Sequence, residues 1–168
     1  MLEKIKQLRA ATGLGLQDCR KALEESGGDI ERAVEILKQK GIEVMKKKVN
    51  RETSEGVIEA YVHFSHKVGA LVEVNCETDF VARNEEFKQF AKDLAMHITA
   101  LAPEYISEED ITKKEMSVEE KEMLKNQCLL NQAFVKDSSV TIRDYLNSLA
   151  AKFGEKIVIK RFSRFSLD

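Results

Sequence analysis

The stretch Ala70-Leu71-Val72-Glu73-Val74-Asn75-Cys76-Glu77-Thr78-Asp79-Phe80-Val81-Ala82-Arg83-Asn84 changes character twice along its length. Ala70 to Val74 is an apolar run with strand character. Asn75 to Asn84 is polar and suited to turning. Beyond it, Phe87, Phe90, Ala91, Leu94, Ile98 and Leu101 recur at i, i+3, i+4, i+7, i+11 and i+14, the strongest helical stripe in the chain. Asn84 can cap that helix, Glu85 and Glu86 suit the positive end of its dipole, and Pro103 stops it. The stretch is therefore a strand-to-helix corner. It carries Phe80 and Val81, and an aromatic in a polar turn is either tucked beneath the corner or held out towards a partner. Periodicity alone leaves both open.

Before the corner, the period is two. Ile58, Ala60, Val62 and Phe64 alternate with Val57, Glu59, Tyr61 and His63, and a short polar turn with Gly69 leads into the next strand, which predicts a hairpin. After the Phe87–Leu101 stripe, residues 104–116 read as a loop with a short helical turn. Ser117-Val118-Glu119-Glu120 is a capping-box pattern opening a helix towards Leu130. Residues 131–139 read as a connector carrying Phe134. Thr141 starts a helix with Ile142, Tyr145, Leu146, Leu149, Ala150 and Phe153 on its face, ended by Gly154. A third strand, from Ile157 to about Phe165, pairs most simply with the hairpin. The result is an α+β body: a small, about three-stranded antiparallel sheet packed with helices on one face.

The amino-terminal part reads as three short helices. Leu2, Ile5 and Leu8 share one side of the first, which Thr12-Gly13-Leu14-Gly15 ends. The second runs from about Leu16 to Glu25, with Leu16, Cys19 and Leu23 on one face, and Ser26-Gly27-Gly28 breaks it. Asp29 caps the third, whose face is Ile30, Ala33, Val34 and Leu37 and which Gly41 closes. This pattern resembles a ubiquitin-associated-type three-helix bundle. The expected division is a bundle at 1–45, a basic linker at 46–55 and an α+β core domain at 56–168. The Lys46-Lys47-Lys48 run is either a solvated connector or a basic strip facing a partner.

A formal net charge of -2 argues against a general nucleic-acid binder. Cys19, Cys76 and Cys128 are too few and too widely spaced for a disulfide framework or a paired zinc motif. The amino terminus opens into an amphipathic helix rather than a targeting segment, and no apolar run approaches the ~20 residues that span a membrane. The cytoplasm is the expected site, with no membrane partner. The chain has no phosphate-binding Gly-rich loop, no nucleophile elbow and no zinc-protease motif. No cofactor, metal or catalytic residue is expected. A metal site built from His63, His66, Cys76 and Asp79 is the weak rival; a peptide-binding adaptor built on the bundle is the other.

Two segments narrow the choice. Leu8-Arg9-Ala10-Ala11-Thr12-Gly13-Leu14-Gly15-Leu16-Gln17-Asp18-Cys19-Arg20-Lys21-Ala22-Leu23 closely resembles the amino-terminal motif of the translation elongation factor Ts family. Glu73 to Asn84 resembles that family's second hallmark, in the family's order and spacing. Gln132 to Asp137 and Arg161 to Phe165 also look like family segments, so the resemblance covers essentially the whole chain. Leu14, Leu16 and Gln17 stand where many relatives have Ala-Met-Met-like residues, and Ala133 stands where a proline is common.

The resemblance implies guanine-nucleotide exchange on elongation factor Tu, GDP-bound and nucleotide-free, in the bacterial cytoplasm and without covalent chemistry. It makes Arg9, Leu16, Gln17 and Asp18 bundle contacts with the partner, although Leu16 is equally readable as core. It makes Thr78, Asp79, Phe80 and Val81 the working corner, which disturbs the partner's magnesium and phosphate site. There Phe80 is the exposed wedge, and Asp79 positions the corner by accepting hydrogen bonds from turn amides or from the partner. The single core module, where longer relatives have a duplicated core, implies a homodimer that rebuilds the missing half.

Overall fold

The computed structural model describes residues 1–112 and 117–167. Its packing divides into two units, one of Met1–Glu52 with Leu146–Ile157 and one of Thr53–Tyr145 with Val158–Asp168.

The first unit holds α1 (Leu2–Thr12), α2 (Leu16–Glu25) and α3 (Ile30–Lys47). Its core is Ile5, Leu8, Leu14, Cys19, Ala22, Leu23, Ala33 and Leu37. Asp29 caps α3 by accepting from the Arg32 N–H at 3.0 Å. The third helix does not close at Gly41 as expected but runs on to Lys47. The reason is a close approach. A Cβ at Gly41 would lie 2.3 Å from the Asn147 carbonyl oxygen, so only glycine lets the two backbones meet. Packing there outweighs the ~1 kcal/mol by which glycine disfavours a helix interior. Lys46 and Lys47 consequently occupy a helix's last turn, where its dipole welcomes positive charge.

The second unit is built on a sheet of β1 (Glu55–Val62), β2 (Val68–Cys76) and, by the convention of chain order, a last strand β5 (Val158–Ser166). The spatial order is β1-β2-β5, antiparallel throughout, with a register shift in β2 between Glu73 and Val74. Between β2 and β5 in the chain lie α4 (Asp79–Ala82), α5 (Glu85–Leu101), α6 (Glu108–Thr112), α7 (Val118–Leu124), β3 (Ala133–Phe134), β4 (Asp137–Thr141) and α8 (Ile142–Phe153), whose residues from Leu146 on belong to the first unit. The α5 stripe packs on the sheet. Phe87, Phe90, Ala91, Leu94 and Ile98 are fully buried, as are Val74 and Cys76 of β2. Leu101 departs from the expected stripe, because the helix ends there and leaves it exposed.

Two further expectations need correction. The capping box at Ser117 and Glu120 is present, but α7 stops at Leu124 and 3-10 turns carry the chain on, instead of a helix reaching Leu130. Part of the expected 104–116 loop, residues 113–116, falls outside the described residues. The expected connector at 131–139 contains a small hairpin, β3 pairing with β4. Polar bonds and the buried Phe134 ring hold it, and strands of two and five residues are too short for hydrophobic periodicity to show. Buried Asp93 on α5 accepts from Lys136 Nζ at 2.6 Å, Gln89 Nε2 at 2.9 Å and the Tyr145 hydroxyl at 3.2 Å. One turn on, His97 Nδ1 accepts the Val135 backbone N–H at 3.2 Å, and His97 Nε2 lies 3.0 Å from Gln132 Oε1. That pattern places the proton on Nε2 and keeps the ring neutral, and burial pushes its pKa below the ordinary histidine value.

Candidate functional site

The corner begins where β2 ends. Cys76 is fully buried, and its thiol donates to the Thr78 carbonyl at 3.3 Å. The chain then makes the four-residue α4, closed by Ala82 N–H to Thr78 O at 3.2 Å and Arg83 N–H to Asp79 O at 3.0 Å. Asn84 caps α5 by accepting the Glu86 N–H at 2.8 Å. Val81 and Ala82 are each 7% exposed and seat α4 on the body. Phe80, one residue before them, is 85% exposed. The open question of the sequence, a tucked or a projecting aromatic, is resolved as projecting.

Asp79 is half-buried. Its carboxylate pairs with Arg83 at 3.2 Å, across the length of α4, rather than with turn amides. Thr78 is exposed. Of the four corner residues, Thr78 and Phe80 face outward, Asp79 is half-covered and Val81 is an anchor. Sequence reasoning missed two residues that hold the corner. The Cys76 thiol carries no motif signal beyond lying at a strand end. Arg83 stands at i+4 from Asp79, a spacing that ion-pairs on a helix and could have been found.

The bundle candidates belong to the other unit. Arg9 lies in the last turn of α1, and Leu16, Gln17 and Asp18 form the first turn of α2; all four are exposed. Leu16 is 51% exposed, whereas Cys19 and Leu23, at i+3 and i+7 from it, are fully buried. The face that α2 buries is Cys19, Ala22 and Leu23. Leu14, in the preceding loop, is buried in the bundle core, leaving Leu16 and Gln17 as surface. Asp18 borders a shallow groove lined by Leu14, Leu37, Lys40 and Val44.

The rival metal reading finds no support in the geometry. His63 Nδ1 is engaged with the Ser65 hydroxyl at 3.0 Å, and the Cys76 thiol turns to a carbonyl. Among the described residues, no three His, Cys, Asp or Glu side chains gather in a way that could hold a metal ion. No helix among them is long and apolar enough to cross a membrane.

The comparison with known proteins returns to the two motifs. A family model described as elongation factor TS matches residues 4–127. The chain is 44% identical over 191 residues to the elongation factor Ts of Carboxydothermus hydrogenoformans, covering 98% of this chain and 88% of that protein. It is 46% identical over 190 residues to that of Leptospira biflexa, with 98% and 96% covered. It is 44% identical over 190 residues to that of Thermodesulfovibrio yellowstonii, with 98% and 94% covered. These alignments are longer than the 168 residues of this chain, so the relatives carry additional internal residues. With the bundle, the corner and nearly the full length accounted for, this chain belongs to the elongation factor Ts family.

Proposed function

We propose that this chain accelerates GDP release from elongation factor Tu by pressing Phe80 into the partner's nucleotide site, while the bundle holds the partner through Arg9, Leu16, Gln17 and Asp18. The observation that carries the reading is the contrast at the corner: Phe80 projects at 85% exposure from a helix whose next residue is buried. Leaving a phenylalanine in water forgoes ~1.5–3 kcal/mol of burial, and a surface that recovers it is a partner's.

Exchange of this kind requires no covalent step. A magnesium ion bridging phosphate oxygens is a large local charge in a nucleotide site. An apolar wedge with Thr78 and Asp79 beside it displaces groups around that ion and weakens the hold on the nucleotide. Each ~1.4 kcal/mol lost speeds release about tenfold if the loss falls on the off-rate. Linkage makes the effect reciprocal, so rebinding of nucleotide loosens the exchange factor from its partner.

The functional division follows the expected one, with 1–45 docking, 46–55 connecting and 56–168 forming the core. The partner is engaged GDP-bound and nucleotide-free, in the cytoplasm, without direct nucleic-acid contact. A homodimer is part of the same reading. Val62, Gly69 and Phe165 align across the three strands, as do Ala60, Leu71 and Ser163, on the outer sheet face. Ile58, Val62, Leu71 and Phe165 are all exposed there. An apolar sheet face suits a second copy of itself.

The test is release of labelled GDP from elongation factor Tu with excess unlabelled GDP, at substoichiometric amounts of this chain. Acceleration with turnover is expected; an unchanged release rate overturns the exchange function. Light scattering at micromolar concentration that finds only monomer overturns the dimer.

A further inference from the structure

The corner is acidic. Residues 77–86 carry Glu77, Asp79, Glu85 and Glu86, and Arg83 is the one cation among them. That composition is ill-suited to a segment that meets a nucleotide's phosphates, because like charges brought close repel, the more so where water is excluded. Two of the carboxylates are covered. Lys88 Nζ donates to Glu85 at 2.8 Å. Arg83 pairs with Asp79 at 3.2 Å.

The second pair lies at the wedge itself. Arg83 is the C-cap of α4 and keeps helical angles, φ -82 and ψ -12. With ~100° between successive residues, Arg83 projects ~60° to one side of Phe80 and Asp79 ~100° to the same side. The guanidinium therefore stands between the carboxylate and the direction of the ring, while Val81 and Ala82 take the buried arc. The Arg83 and Asp79 side chains are 81% and 47% exposed. An ion pair so open to water adds little to folding, and Val81 and Ala82 seat α4 without it.

We propose that Arg83 is a positioning residue for nucleotide exchange: it holds the Asp79 carboxylate and cancels its charge on the outward face of α4, so that Phe80 reaches the phosphate-bearing site without an open carboxylate beside it. The proposal rests on the reading that Phe80 enters the partner's nucleotide site. Arg83 acts through Asp79 and needs no contact of its own with the partner. Its effect is confined to a partner that holds nucleotide, because the repulsion it removes requires the phosphates.

The experiment compares wild type with Arg83→Gln, Arg83→Lys, Asp79→Asn and the double variant Asp79→Asn/Arg83→Gln. Release of labelled GDP from elongation factor Tu gives kcat/KM for the GDP complex. Titration of nucleotide-free elongation factor Tu gives the affinity in the absence of phosphates, and urea midpoints report folding. Exposed charge pairs couple by up to about fivefold in an equilibrium. Arg83→Gln is expected to lower kcat/KM about two- to fivefold, with the urea midpoint and the nucleotide-free affinity unchanged. Arg83→Lys, which still reaches Asp79 at i+4, is expected to keep most of the activity. In the Asp79→Asn background there is no charge to cover, so adding Arg83→Gln is expected to cost nothing further.

Exchange at or above the wild-type rate in Arg83→Gln overturns the proposal, as does an equal loss in the Asp79→Asn background. So does Arg83→Lys that exchanges no better than Arg83→Gln. A nucleotide-free affinity that falls with kcat/KM would make Arg83 a direct partner contact, and a fall in the urea midpoint would assign the pair to folding; either result overturns the positioning role. All of these leave the exchange function standing. A wild-type chain that fails to accelerate release overturns the exchange function, and the role of Arg83 with it.

Discussion

Phe80 and Val81 are neighbours with opposite environments, and replacing each by alanine separates function from stability. Phe80 is 85% exposed, so its truncation removes almost no buried area from the folded chain. Surface changes of this kind stay within about 0.5 kcal/mol. Val81 is 7% exposed, and Val81→Ala deletes two buried methyl groups at ~0.8 kcal/mol each, more if a cavity remains. The expected stability losses are therefore near zero for Phe80→Ala and about 1.5–2.5 kcal/mol for Val81→Ala. Exchange reverses the order. If Phe80 is buried in the partner only while the nucleotide is being displaced, its loss removes ~1.5–3 kcal/mol, roughly tenfold to 150-fold in kcat/KM. Val81→Ala, assayed where the chain remains folded, keeps the wedge and loses far less. Urea unfolding followed by circular dichroism reads the first quantity, and stopped-flow release of fluorescent GDP reads the second. Phe80→Ala that exchanges at the wild-type rate refutes the wedge. So does an exchange defect matched by an equal fall in stability, since that would make Phe80 a packing residue.

Three further outcomes follow from the packing. His97 is held neutral by burial, so its folded pKa lies below the unfolded value of about 6.5. Its contribution to stability is complete above that value and is lost as the pH falls from there towards the folded pKa. Urea midpoints at pH 7.5 and 5.5 should thus differ more in wild type than in His97→Gln; equal differences would remove His97 as the cause. Gly41→Ala should lower stability by up to about 2 kcal/mol, since overpacking against the Asn147 backbone, up to ~3 kcal/mol, is offset by ~1 kcal/mol gained in helix propensity. An unchanged urea midpoint would show that the two backbones separate freely there. His66 sits in the turn between β1 and β2 with φ 57, a left-handed conformation that costs a side chain ~1–2 kcal/mol. His66→Gly should raise the urea midpoint, with a net gain of about 0.5–1 kcal/mol after glycine's entropy cost; a lower midpoint would assign the turn's stability to the His66 side chain.

What was legible in the chain was whatever one periodicity or one cap could encode. The α5 stripe, the β1–β2 hairpin, the Asn84 and Asp29 caps and the Ser117 capping box each follow a local rule that the fold keeps. The misses share a different cause. Gly41 reads locally as a helix stop and becomes a helix interior because another backbone approaches it. The β3–β4 hairpin is invisible to hydrophobic patterning because its strands are short and Asp93, His97 and Lys136 hold it by polar bonds beside the buried Phe134, and α5 buries two of those polar groups on a face where patterning expects only apolar ones. Both depend on residues far away in sequence, so no local window contains them.

The corner is a third kind of case. Successive residues of a helix point ~100° apart, so a four-residue helix that buries two adjacent side chains must turn the preceding one away. Burial of Val81 and Ala82 therefore entails the projection of Phe80. The converse arrangement, Phe80 inward and Val81 outward, would have satisfied every rule of composition equally well. The chain instead seats the corner on its two smaller residues, closes it with the Asp79–Arg83 pair and the Cys76–Thr78 bond, and leaves the largest apolar group in solvent. Under the proposed function, burial in a partner accounts for that exposure. The proposed wedge would give that exposed ring its use in a partner surface, which lies outside this chain's own energetics and so outside what periodicity encodes.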